Sequence, residues 1–256
     1  MTAAAVEPLL RAALERAAET ERLLVAVDFD GTLAPIVSNR DDARALPESL
    51  EALADLVRLP ATSVAVVSGR ALVDLAAVGN LPDGVLLVGS HGAELDDLPR
   101  DDVVERRDAL LQDVRTTTSG VPGVDLEVKP AGVAVHVRAA ARSDAAAVLD
   151  ALRAGPARLP GVSATPGKEV LELSVVSTDK GQALDVLRRR TSATAAVFLG
   201  DDVTDESAIE RLHPGDVGVK VGPGATAAEH RVPDPVVVAD VLALLAAERT
   251  RRLASS

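Results

Sequence analysis

The chain alternates short, nearly unbroken apolar runs with longer stretches of helical spacing. The runs fall at 23–27, 63–67, 85–88, 195–199, 217–221 and 236–238, most of them ended by an acidic or turn residue. Strands buried on both faces read as continuous apolar runs, whereas strands with one wet face alternate. Helical stretches at 47–57, 70–78, 180–190 and 205–211 lie between the runs. This order predicts an α/β fold, a Rossmann-like parallel-sheet core with helices on both faces. In such sheets chemistry gathers beyond the carboxyl ends of the strands, so the polar residues after each run are the informative ones.

The rhythm changes between about 101 and 174. A helical stretch at 103–116 is followed by two strand-like segments, 125–129 and 132–138, around a Pro130-Ala131 turn. A second helix at 143–153 precedes another pair, 161–165 and 169–173, around Pro166-Gly167. The pattern predicts an inserted α+β cap domain over 99–174, with the core built from 1–98 and 175–256. The crossings are expected near Pro99 and at 175–178. The stretch 246–256 lacks a sustained apolar face and is expected to fray.

Composition narrows the chemistry. Of 256 residues, 47% are hydrophobic and 26% charged, enough to bury a core. Lys plus Arg is 27 against 39 Asp plus Glu, a net charge of −12 that argues against a nucleic-acid partner. Cysteine is absent, which excludes disulfides, thiolate metal sites and thiol nucleophiles. No apolar run of about 18 residues exists, so no membrane span is expected. Charges at Glu7, Arg11, Glu15, Arg16, Glu19, Glu21 and Arg22 break up the N-terminal stretch, unlike a secretion signal. A cytoplasmic monomer is the expectation. With two Phe and neither Trp nor Tyr, no aromatic shelf for bases or sugars is available, and polar groups must hold any sugar.

Two acidic motifs follow apolar runs. Asp28-Phe29-Asp30-Gly31-Thr32 offers two carboxylates at i and i+2 on a turn, with Gly31 permitting a sharp loop. Gly200-Asp201-Asp202-Val203-Thr204-Asp205-Glu206 places four carboxylates within six residues, which repel one another unless a cation or solvent compensates. A helix N-terminus accounts for Asp205 and Glu206 on its own. Hard oxygen donors in this number suggest Mg²⁺. Ser68-Gly69-Arg70 gives a hydroxyl and main-chain donors at a helix start, although a simple Ser cap looks the same. Lys180-Gly181 opens another helix, where the helix dipole mildly disfavours a cation. In the insert, Glu127 and Lys129 share one face of a strand, as do Lys168, Val170 and Glu172. Taken alone, these charges read as a solvated face with cross-strand ion pairs.

In chain order the four motifs, D-x-D-G-T, S-G-R, K-G and G-D-D-x-T-D, resemble the set of the haloacid dehalogenase-like phosphatases. More closely, nearly the whole chain resembles the trehalose-6-phosphate phosphatases, with G-S-H-G-A-E at 89–94 and A-V-H-V-R at 134–138 in support. The resemblance implies a phosphomonoester hydrolase that cleaves trehalose 6-phosphate through an aspartyl-phosphate. Asp28 is then the nucleophile, Asp30 the general acid and base, and Ser68 and Lys180 hold the transferring oxygens. Mg²⁺ is implied at Asp28, Asp30 (through its backbone carbonyl) and Asp201, with Asp202 and Asp205 in support. Arg70, Glu127, Lys129, Arg138, Lys168 and Glu172 are implied to bind the sugar phosphate. Related phosphatases for sucrose-phosphate or mannosyl- or glucosyl-3-phosphoglycerate would share the catalytic motifs. A sugar-phosphate-binding sensor would be expected to have lost one of Asp28, Asp30, Lys180 or Asp201, and all four are present. Three features need separate mention: Ser174-Val175 stands where the family often has Arg-Pro, Phe29 where Tyr is commoner, and His91 lies in a family motif without an assigned role.

Overall fold

A computed structural model describes residues 6–95, 101–176 and 178–254. The elements in chain order begin with α1 (Pro8–Ala18), β1 (Leu23–Val27), α2 (Pro47–Arg58), β2 (Thr62–Val67), α3 (Leu72–Gly79) and β3 (Leu86–Val88). Next come α4 (Asp101–Thr118), β4 (Asp125–Lys129), β5 (Gly132–His136), α5 (Arg142–Ala154), β6 (Ser163–Gly167) and β7 (Val170–Ser174). The chain ends with α6 (Lys180–Thr191), β8 (Ala195–Gly200), α7 (Val203–Ile209), β9 (Val217–Val221), β10 (His230–Val232) and α8 (Pro235–Ala254). Two compact units result. Met1–Gly92 with Asp179–Ser256 form one, and Ala93–Thr178 form the other. The expected boundary at 98/99 and the crossing near Pro99 lie outside the described residues.

In the first unit six strands pair in the order β10-β9-β8-β1-β2-β3, all parallel. The α/β class and the parallel core are as the apolar runs predict. Leu23, Val25 and Val27 of β1 belong to the core cluster that α1, α2 and α8 supply with Leu10, Leu53 and Leu242. Leu24 and Ala26 alternate to the other side and are also fully buried. There α6 packs over β1 and β2. Burial on both faces explains why these strands carry no polar alternation.

Two expectations are corrected. The apolar triplet 236–238 is not a strand but the first turn of α8, and the sixth strand is His230–Val232. Pro235 opens that helix and the Asp234 side chain accepts the Val236 and Val237 N–H groups at 2.9 and 3.2 Å, a capped start that commits the segment to helix. The tail does not fray within the described residues, since α8 is continuous to Ala254. Buried Arg249 ties it down, donating to the carbonyls of Ala18, Thr20, Glu21 and Ala61 and to the Thr62 hydroxyl.

In the second unit four antiparallel strands pair in the order β4-β5-β7-β6. Val133, Val135, Leu171 and Leu173 bury one face against Leu110 and Val114 of α4 and Val148 and Leu152 of α5. The last hairpin differs from expectation: β6 at Ser163–Gly167 and the turn at Lys168-Glu169 lie two residues later, and β7 at Val170–Ser174 one residue later. Glu169 takes φ +59° there. Among the described residues, no helix is long and apolar enough to cross a membrane.

Candidate active site

The acids of the first motif leave the sheet at the end of β1, flanked by the ends of β2 and β8. Phe29 is fully buried and its carbonyl accepts the N–H groups of Thr32, Leu33 and Ala34, which curls the loop. Gly31 sits at φ +84°, and a side chain on it would run into the Asp201 carboxylate. Glycine here both makes the turn and admits Asp201 beside Asp28. One carboxylate oxygen from each of Asp28, Asp201 and Asp205 lies within 4.8 Å of the others.

Lys180 binds this cluster together. Its ammonium donates to Asp28 at 2.5 Å and to Asp205 at 2.7 Å, with all three side chains nearly inaccessible to solvent. The lysine that the dipole disfavours in a first helical turn is therefore held by carboxylates. Burial lowers its pKa, but Asp28 and Asp205 outweigh burial and the net shift is upward. Burial first, then Asp205 and Asp201, raise Asp28 well above the usual carboxylate range against the pull of Lys180. Burial, Asp205 and Asp202 push Asp201 up to about 6. Burial and crowding by like charges drive both shifts against the pull of Lys180.

Asp205 is thus more than a helix-start acid. It is fully buried, pairs with Lys180, and its second oxygen accepts the Asp202 N–H at 2.9 Å. Asp202 itself is exposed at the N-cap of α7, outside the three-carboxylate cluster. Asp30 also takes a different position: its carboxylate lies in the fork of Arg70, with both contacts at 2.6 Å. Arg70 donates further to the Arg40 carbonyl at 2.6 Å, is buried, and lies 5.6 Å over the Phe29 ring. Ser68 is buried, and its hydroxyl oxygen accepts the Arg70 N–H at 3.1 Å, which leaves its proton to donate. His91 sets its ring against Gly69, where any side chain would collide with it, and the His91 main-chain N–H donates to the Ser68 carbonyl at 3.0 Å.

Sequence reasoning passed over Lys220. This buried lysine donates to the main-chain carbonyl of Asp201. A single cation inside the run Val217–Val221 was the available signal.

In the second unit the other face of the sheet is polar. Glu127, Ala134 and Glu172 stand in one row across β4, β5 and β7. Small residues on the central strand let long side chains meet over it: Lys129 reaches Glu172 at 2.7 Å across Gly132 and Ala134. Glu127 hydrogen-bonds His136 at 2.9 Å, a partner that the sequence reading did not single out. Arg138 is exposed and pairs with Glu169 at 3.3 Å, and Lys168 is exposed in the adjoining turn. Ser174 turns its hydroxyl to the Val176 and Ala131 carbonyls at 2.9 and 3.1 Å.

The donor chemistry fits a hard divalent cation. Three carboxylates converge, and Asp201 Oδ1 is buried with no hydrogen-bond partner among the described residues, an orphaned acceptor that a metal would satisfy. Parallel strands with acids at their carboxyl ends and a buried lysine beside them define an α/β fold with its polar site at the strand ends. A haloacid dehalogenase-like hydrolase from Bacteroides thetaiotaomicron shares it, with a TM-score of 0.61 at 17% identity over 86% of this chain and 98% of that one.

The family model for trehalose-phosphatase matches residues 26–234, and the chain belongs to that family. A trehalose-phosphate phosphatase of Mycobacterium ulcerans is 36% identical over 250 residues, covering 89% of this chain and 62% of that protein. The chain therefore spans about three fifths of that curated relative's length. A solved trehalose-6-phosphate phosphatase related protein superposes with a TM-score of 0.72 at 27% identity, over 89% of this chain and 99% of that one.

Proposed function

We propose that the chain hydrolyses trehalose 6-phosphate to trehalose and phosphate, with Mg²⁺ held by Asp28, Asp201 and Asp205 together with the main-chain carbonyl of Asp30. The observation that carries this reading is the buried cluster of those acids around Lys180, in a chain of the trehalose-phosphatase family. The Asp28 carboxylate forms a bond to phosphorus as the bond from phosphorus to the sugar oxygen breaks, and Asp30 gives that oxygen its proton. Water then adds to phosphorus, Asp30 takes its proton, and the bond to Asp28 breaks to release phosphate. Asp30 rests in the Arg70 fork, so each transfer needs its carboxylate to turn out of that fork. Lys180 and the Ser68 hydroxyl proton hold phosphoryl oxygens, where fixed donors contribute most. Two like charges at ~4 Å repel by about 4 kcal/mol at an effective dielectric of ~20, and Mg²⁺ supplies the charge that offsets this between carboxylate and phosphate.

The segment 99–174 supplies specificity in this reading. The face bearing Glu127, Lys129 and Glu172 bonds sugar hydroxyls, with Arg138 and Lys168 at its exposed end. A site built to bond hydroxyls leaves polar groups unpaired with the wrong sugar. The product is released by a cytoplasmic monomer without nucleic-acid or membrane partners.

The test is phosphate release from trehalose 6-phosphate, sucrose 6-phosphate, glucosyl- and mannosyl-3-phosphoglycerate and p-nitrophenyl phosphate. Trehalose 6-phosphate is expected to lead, EDTA to silence release and Mg²⁺ to restore it. A preference for another sugar phosphate would replace the substrate, and binding without release would make the chain a sensor.

A further inference from the structure

Three lysines are buried among the described residues: Lys129, Lys180 and Lys220. The first two face carboxylates at 2.7 and 2.5 Å. Lys220 does not: among the described residues no carboxylate lies in ion-pair range of it, and its ammonium donates to the Asp201 carbonyl. A buried ammonium is costly without a matching partner. Its neighbours in the run are Val219 and Val221, and exchanging a buried charge for an apolar side chain of similar size is often neutral or stabilising.

Its placement is specific. Lys220 pairs in register with Gly200, the last residue of β8, so its side chain stands beside the residue where β8 turns into the acidic loop. The Asp201 carboxylate meanwhile closes on Gly31 and approaches Asp28 and Asp205. Asp201 itself lies between the last residue of β8 and the start of α7 at Val203, outside both elements.

We propose that Lys220 is a positioning residue for the metal: it clamps the Asp201 main chain so that the Asp201 carboxylate faces Asp28 and Asp205, and it places a second cation behind three acids. This rests on the proposed metal site, deepening it by one residue that touches neither substrate nor metal. Outer partners of this kind set the orientation of the groups that bind the ion, and their loss weakens metal affinity by about 10–100-fold.

The test is Mn²⁺ binding to the intact 256-residue chain, followed by electron paramagnetic resonance, beside the rise in thermal midpoint on adding Mg²⁺. Lys220→Met is expected to weaken Mn²⁺ binding by about tenfold or more with the metal-free midpoint little changed. Lys220→Arg, which keeps a cation and a donor, recovers most of the affinity. At saturating metal the KM for the sugar phosphate stays at the wild-type value. A lowered midpoint with Mn²⁺ affinity intact makes Lys220 merely structural and overturns the proposal. If Lys220→Met does not fold, Lys220→Gln is titrated instead, and wild-type affinity there overturns it equally. Failure of the wild-type chain itself to bind Mn²⁺ overturns the metal site as a whole, a result distinct from equal binding by wild type and variants.

Discussion

The two sheets carry their charges in opposite ways. The central strands β1 and β8 of the first unit's parallel sheet are apolar on both faces, and the charges of its site gather beyond their ends, where Asp28, Lys180 and Asp205 are all but sealed from water. The antiparallel sheet of the second unit buries one face and spreads its charges over the other, where Glu172 and Glu127 keep 29% and 26% of their side-chain surface exposed. Sealed charges are expensive, and the fold keeps them only where a fixed field is needed at one point. Half-exposed charges cost little, screen readily and present donors and acceptors to a ligand that arrives from solvent. The first arrangement suits a reaction, the second recognition.

The sharpest way to break that division is Asp28→Asn. Phosphate release should fall by at least ~10³-fold, because the attacking oxygen is lost and its neighbours act as a unit with it. The fold should persist, as Asp205 still pairs with Lys180 and a like charge has left a crowded cluster. Near-wild-type release with intact circular dichroism would remove the nucleophile. Next in size is Glu172→Ala. It removes the carboxylate that Lys129 meets at 2.7 Å and should cut kcat/KM for trehalose 6-phosphate by roughly 10–100-fold, while p-nitrophenyl phosphate changes by less than about threefold. Equal losses on both substrates would erase the distinction between the two sheets.

A smaller effect separates the cluster from solvent-exposed acids through pH. Asp28 and Asp201 both titrate higher in the folded chain than in the unfolded one, Asp201 at about 6 against 3.8. Between those values the native state holds more protons than the unfolded state, so metal-free stability falls as pH rises through that window. Mg²⁺ competes with those protons, so its stabilisation should be larger at pH 7.5 than at pH 5. Thermal midpoints with and without Mg²⁺ give the comparison, and Asp201→Asn should flatten it. A midpoint shift independent of pH would mean that the acids are not strained in the metal-free chain.

How much of this was legible depends on range. The runs Leu23–Val27 and Val217–Val221 announce central strands because burial on both faces leaves no polar alternation to misread. His230–Val232 escaped because a short edge strand holds two polar residues of three. The triplet at 236–238 misled because an apolar run that short has no period, and only the Asp234-Pro235 start signal decides for helix. The tail looked frayed because Arg249 reads as a solvent residue, yet it meets carbonyls some 190–230 positions away. The motif acids were visible as residues, but only the family resemblance, not their spacing, grouped Asp28 and Asp201 and put Asp205 in support of them. Asp205 lies four residues from Asp201 and reads as a helix acid until Lys180, 25 positions earlier, is found against it. Arg70 likewise becomes the partner of Asp30, 40 positions away, only once β1 and β2 are paired. Local pattern fixes elements, and long-range pairing fixes what their polar residues do.

The smallest effect tests whether exposure alone decides a charge's worth. Arg138 and Glu169 pair at 3.3 Å with 68% and 53% of their side-chain surfaces exposed. An isolated pair so open to water contributes about 0–1 kcal/mol. Arg138→Ala should therefore leave the thermal midpoint within a degree or two of wild type, and leave turnover of p-nitrophenyl phosphate unchanged. The informative reading is KM for trehalose 6-phosphate. A rise of a few-fold with kcat held would show that this exposed guanidinium meets the sugar, because no stability term is large enough to produce it. An unchanged KM would confine recognition to the partly exposed Glu127 and Glu172 with the buried Lys129 beside them, and the polar face would then be narrower than the charges along its strands suggest.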